Sequence, residues 1–104
     1  MTQEESLFNS IGESIKDAER GQLFGKPCFK VNGKAFICFF QNEMVFKLPK
    51  AAVDEAMSLK GSKHFDPSGK GRPMKEWVQV SGENCDRWKA FTTEAFKYVE
   101  ALKK

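Results

Sequence analysis

The chain has 104 residues, a size that suits one domain, and 40% of them are apolar, including ten Phe and two Trp. A charged fraction of 30% combined with regular apolar spacing excludes a disordered chain. The net charge of +3 falls short of the basic density of a dedicated nucleic-acid binder, although residues 21–50 and 60–75 each carry a local excess of +4.

The opening Met1-Thr2-Gln3-Glu4-Glu5 is acidic and lacks an apolar stretch, so no signal peptide is expected. Thr2 and Glu5 have capping-box spacing, and Leu7, Phe8, Ile11, Ile15 and Ala18 recur at helical period, which predicts a helix over 4–20 closed by Gly21. Gly12 interrupts it at a cost of up to ~1 kcal/mol relative to Ala. Three strands follow, at about 23–31, 34–41 and 44–48. Asn32-Gly33 forms the turn between the first two, because a type I′ turn needs positive φ at both central residues. The longest apolar run, Ala35 to Phe40, is six residues, against the roughly 20 of a membrane helix. Pro49 ends the third strand and opens a second helix running to about Lys60.

Residues 61–73 hold three Gly and two Pro and read as a loop, with a short strand at Lys63–Phe65. Met74 to Val80 alternates as a further strand. Asn84 then caps a last helix with the apolar stripe Trp88, Phe91, Ala95, Tyr98 and Leu102. The order α-β-β-β-α-β-β-α predicts a single α+β domain over 1–104. Its two layers are a mostly antiparallel sheet of about five strands and helices largely on one face.

A two-residue turn at Asn32-Gly33 pairs Phe29 with Phe36 and Cys28 with Ile37, and one at Asn42-Glu43 pairs Phe39 with Phe46. One face then carries Cys28, Ile37, Phe39, Phe46 and Leu48, and the other Phe29, Val31, Phe36, Cys38, Phe40 and Val45. Both faces are apolar, and Trp77 alternates outward in the same way. Phe29, Phe36, Phe40 and Trp77 are therefore a candidate interaction face for a protein partner or a second copy of the chain.

No catalytic or metal constellation emerges. Cys28, Cys38, Cys85 and His64 lack zinc-site spacing, and the register above sends Cys28 and Cys38 to opposite faces. Cys85 at a helix start favours thiolate, but the only His, His64, lies on the loop. Glu4-Glu5 and Asp54-Glu55 complement helix dipoles. The chain is therefore read as non-enzymatic, without cofactor or metal, with reduced cysteines and a cytoplasmic location. Lys63, Lys70, Arg72 and Lys75 around the Gly-rich loop are candidate phosphate or nucleic-acid contacts. Lys26, Lys30, Lys34 and Lys47 interleave with Phe on the sheet, where edge lysines also block aggregation.

The run Leu23-Phe24-Gly25-Lys26-Pro27-Cys28-Phe29-Lys30-Val31-Asn32-Gly33-Lys34-Ala35-Phe36, followed by Met44-Val45-Phe46-Lys47-Leu48, resembles the YjbR-like superfamily. That grouping includes the MmcQ-YjbR-like proteins and the TfoX N-terminal domain. Phe65-Asp66-Pro67, the Trp77-Val78 strand and the closing helix Trp88 to Ala101 extend the likeness over most of the chain. The resemblance implies the same two-layer fold, a bacterial origin and a regulatory binding role, with DNA binding as the alternative. It carries over no catalytic residue.

Overall fold

The computed structural model describes residues 2–23, 25–65 and 74–102. The Thr2 hydroxyl accepts the Glu5 backbone N–H at 3.0 Å and starts α1, Gln3–Glu13, whose first turn holds Glu4 and Glu5. Phe8 and Ile11 are its buried apolar residues. Five strands of a six-stranded sheet are β1 Glu19–Leu23, β2 Lys26–Val31, β3 Lys34–Phe40, β4 Glu43–Lys47 and β5 Lys63–Phe65. The sixth, β6, is Met74–Val80, while α2 is Lys50–Met57 and α3 is Trp88–Ala101. All pairings are antiparallel, in the order β1-β2-β3-β4-β6-β5.

The α+β class and the one-sided helices match expectation; the strand count of six corrects about five. The extra strand is β1. The first helix was expected to reach 20, yet α1 stops at Glu13 and Asp17 takes a φ of 75°. Beyond Ile15 the apolar stripe thins, and pairing of Glu19 with Lys30 and Leu23 with Lys26 recruits residues 19–23 to the sheet. Gly25, at φ 77°, divides what the pattern joined as one strand over 23–31. Arg20 then reaches back to α1, donating to Asn9 Oδ1 at 2.9 Å and pairing with Glu13. The last helix also starts later than its sequence signal. A 3₁₀ turn, Gly82–Arg87, precedes α3, Ser81 Oγ accepts at its start, and Asn84 instead donates to the Lys60 carbonyl at 2.9 Å.

The first long hairpin corrects the expected register. Asn32 and Gly33, at φ 54° and 78°, make the turn, and Lys30 faces Ala35 as expected. A bulge follows, so that Phe29 faces Ile37 and Cys28 faces Cys38. One extra residue flips every later side chain on that strand to the other face. In the second hairpin Gln41 and Asn42 are the turn residues, at φ 54° and 64°, and Phe39 faces Met44. That is a shift of two from the expected pairing, so the faces of β4 survive.

The helices cover one face. Phe8, Ile11, Val53, Trp88, Phe91, Ala95 and Val99 pack there with Phe29, Phe36, Ile37, Phe39, Phe46 and Val78. Gly12 permits the closest approach, since a Cβ at that position would overlap the Phe29 ring. Its cost to the helix is offset by the packing it allows. The opposite face holds a smaller cluster of Cys28, Cys38, Val45, Phe65 and Trp77, with Ala35 and Phe40 partly buried beside it. Among the described residues, no helix is long and apolar enough to cross a membrane.

Candidate functional site

The end of β4 sets up a concavity on the helix side of the sheet. Leu48 donates its N–H to the Glu76 carbonyl at 2.8 Å, and Pro49 follows with φ −70° as the cap of α2. This hands the chain from the sheet to a helix lying over β6. One face of α2 buries Ala52, Val53 and Ala56, which leaves Lys50 and Asp54 outside as an i,i+4 ion pair at 3.4 Å. Strand β6 contributes Glu76, α3 contributes Tyr98, and β5 contributes His64, which is paired across the ladder with core-facing Val78.

These residues line an open groove of about 710 Å³, formed by Leu48, Lys50, Val53, Asp54, Met57, His64, Glu76 and Tyr98. Its floor is apolar, with Leu48 and Val53 both buried. The polar groups sit around that floor. Tyr98 donates its hydroxyl proton to Glu76 Oε2 at 3.0 Å, and Lys47 Nζ stands 3.8 Å from Glu76 Oε1. Burial first, and then the Glu76 carboxylate, push the Tyr98 phenol above its usual range. His64 is half-buried, and its Nδ1 is shut off from water and, among the described residues, has no hydrogen-bond partner; being shut off, it is also out of reach of a ligand in the groove.

The groove was not legible as a site. His64 stands on the short strand expected at Lys63–Phe65, and nothing in the sequence shows that this strand forms the edge of the sheet beside α2. Tyr98 belongs to the stripe of α3, and its hydroxyl, the one oxygen-bearing side chain in that stripe, is the available signal. Lys50, Asp54 and Met57 share one side of α2 at i, i+4, i+7 spacing, but nothing local brings Glu76 of β6 to them.

The candidate interaction face does not exist as one surface. Phe29 and Phe36 are buried under the helices at 2% and 0% exposure, because the bulge in the first hairpin turns them inward. Phe40 and Trp77 lie on the opposite face, Phe40 half-buried and Trp77 buried. Cys28 and Cys38 correct the expectation in the reverse sense: they face each other directly, both fully buried and both free thiols. Burial, and then the neighbouring Cys28, push the Cys38 thiol up to about 12; burial raises Cys28, partly opposed by Lys30. Such thiols are poor nucleophiles and poor ligands. Cys85 is exposed in the 3₁₀ turn and does not line the groove. Among the described residues no three His, Cys, Asp or Glu side chains are grouped to hold a metal ion.

Of the candidate phosphate contacts, Lys70 and Arg72 lie outside the described residues. Lys75 is described only as backbone of β6, and Lys63 is exposed on the edge strand opposite Gln79. Lys26 holds its ammonium 5.5 Å from the centroid of the Phe40 ring. Gln79, buried between these features, donates to Glu43 at 2.8 Å. No protein-family model matches the chain, and no curated protein matches it.

Proposed function

We propose that the protein is a non-enzymatic binding module that takes its ligand in the groove between α2, α3 and β6. A regulatory role of this kind is also what the YjbR-like resemblance implies. The observation that carries the reading is the groove itself: an open concavity over the buried Leu48 and Val53, walled by the hydrogen-bonded pair Tyr98 and Glu76. Concave, mostly apolar sites with a few placed polar groups are where small ligands bind. A partner or dimer contact through exposed Phe side chains has less to rest on, because Phe29 and Phe36 are packed inside the protomer and Phe40 is half-buried.

Equilibrium dialysis against a small-molecule cell extract, read by mass spectrometry, tests the reading. The wild-type protein should retain a compound that Met57→Trp, which fills the groove, does not. Retention of nothing, or equal retention by both proteins, overturns it.

A second reading is favoured by the opposite sheet face. There Lys26 lies over the half-buried Phe40, and Lys63 stands exposed on the edge. Aromatic rings and cations on a sheet bind single-stranded nucleic acid by stacking and phosphate neutralisation. Retention on a single-stranded DNA column should then fall steeply with salt, and Lys26→Ala with Lys63→Ala should reduce the salt slope by about 1 per lost phosphate contact. An unchanged slope, also after Lys70→Ala and Arg72→Ala, ends this reading.

A further inference from the structure

Resting on the groove as the binding site, we infer that its ligand is a small, uncharged, ring-bearing molecule that offers an N–H donor to the wall formed by Glu76 and Tyr98. The hydrogen-bonding inventory carries the donor. The Tyr98 phenol spends its only proton on Glu76 Oε2, so its oxygen keeps lone pairs alone. Glu76 is an acceptor at both oxygens, and Lys47 at 3.8 Å is beyond hydrogen-bond distance of the second. Asp54 adds two more acceptor oxygens at the rim. Lys50 is the one donor cation among the lining residues, and Asp54 already engages it. The His64 Nδ1 is buried and does not meet the groove, which the rest of that residue lines. The acceptors open to a ligand are thus those of Glu76, Tyr98 and Asp54.

Charge balance carries the neutrality. Glu76 faces Lys47 and Asp54 faces Lys50, so each carboxylate at the groove has its own cation. A charged ligand would lose hydration and meet no uncompensated partner. The ring follows from the surfaces that remain: the Met57 thioether, the Tyr98 ring and the His64 ring stand around a floor of Leu48 and Val53. Thioethers and aromatic rings favour flat, polarisable faces. A groove of about 710 Å³ admits one such molecule.

The test uses the full chain, isotope-labelled, in NMR titrations with indole and with 1-methylindole, which has the same ring and no N–H. Indole should shift the methyl signals of Leu48, Val53 and Met57, and should bind about 3- to 10-fold tighter than 1-methylindole, the net worth of one hydrogen bond. Glu76→Leu keeps apolar bulk but removes the acceptor oxygens, and should narrow that ratio; Met57→Trp should abolish both titrations. A dispersed spectrum of each variant confirms its fold before it is titrated. Equal affinity of the two probes at the groove overturns the donor inference and leaves the groove as the site. No shift at the groove with either probe overturns the groove itself. A blocked Trp-containing tripeptide that binds more than tenfold tighter than indole would make the occupant a peptide side chain and overturn the small-molecule assignment.

Discussion

The two faces of the sheet come from the same strands but are built by different means. On the helix-covered face, aromatic contacts join elements far apart in the chain: Phe8 to Phe29 and Phe39, each at 5.3 Å, Phe36 to Phe96 at 5.4 Å and Phe46 to Phe91 at 5.8 Å. On the opposite face they join strand to strand, Phe40 to Phe65 at 5.2 Å and Phe65 to Trp77 at 6.3 Å. The first arrangement fastens α1 and α3 to the sheet, and the second fastens edge strand β5 to its neighbours. Loss of the first should therefore cost the whole fold, while loss of the second should loosen an edge. This difference also explains the location of the groove. It lies where helix cover runs out, between α2 and edge strand β5, so an apolar floor is left with one side open.

The two Trp residues give the largest test of that difference. Trp88 is fully buried where α3 meets the sheet, and Trp77 is 6% exposed in the smaller cluster. Large-to-small changes at buried aromatics cost about 3–5 kcal/mol, more where the surroundings cannot collapse. We expect Trp88→Ala near the top of that range, about 5 kcal/mol, and Trp77→Ala near the bottom, about 3 kcal/mol, by urea denaturation. Equal losses would mean that both faces contribute alike to global stability. Native-state hydrogen exchange sharpens the point: Trp77→Ala should raise exchange mainly in β5 and β6, and Trp88→Ala throughout.

Gly12→Ala should come next. In an ordinary helix this change gains up to ~1 kcal/mol. Here the added Cβ would overlap the Phe29 ring, which is itself packed against Phe8 and covered by the Arg20 guanidinium 5.1 Å from its centroid. The ring has nowhere to retreat, so a net loss of about 1–3 kcal/mol is expected, in the usual range for overpacking. A double variant, Gly12→Ala with Phe29→Leu, should recover part of it. A stabilised Gly12→Ala would show that α1 floats on the sheet, contrary to the tight contact described.

That glycine marks what could be read from residues alone and what could not. Periodicity located all three helices, since Phe8 and Ile11, Val53 and Ala56, and Trp88, Phe91 and Ala95 are local patterns produced by local geometry. Asn32-Gly33 located its turn for the same reason. The bulge just beyond that turn is set by how Phe36 and Ile37 pack together under α3, and no signal within the hairpin specifies it. Missing it exchanged Cys28 with Phe29 between faces, and with it went both the expected interaction face and the expected separation of the two cysteines. Strand β1 was missed because Glu19, Gly21 and Gln22 have little strand propensity and are ordered by their partner β2. The groove was invisible for a related reason: its polar wall is assembled from β5, β6 and α3, which only the folded topology brings together.

The smallest expected effect concerns Cys38, and it tests whether the face without helices is as tightly sealed as the other. Cys28 and Cys38 are both fully buried there, while Cys85 is exposed. A thiol reagent at neutral pH should therefore label Cys85 alone in the folded protein and all three cysteines in urea. Cys38→Val, a swap of one small apolar side chain for another, should cost less than about 1.5 kcal/mol. The pH dependence should change more distinctly. Burial raises the folded Cys38 thiol from 9.0 to about 12. Above pH 9 the unfolded chain releases that proton and the folded chain keeps it, so the unfolded state binds fewer protons and stability falls as pH rises. The loss should run from about pH 9 towards 12, and Cys38→Val should make it shallower in urea midpoints measured from pH 8 to 11. It should not vanish, because Tyr98 and Cys28 are raised in the same direction. A wild-type protein that labels at Cys38 while folded, or whose alkaline slope is unchanged in the variant, would show that water reaches this face and that only the helix side is a sealed core.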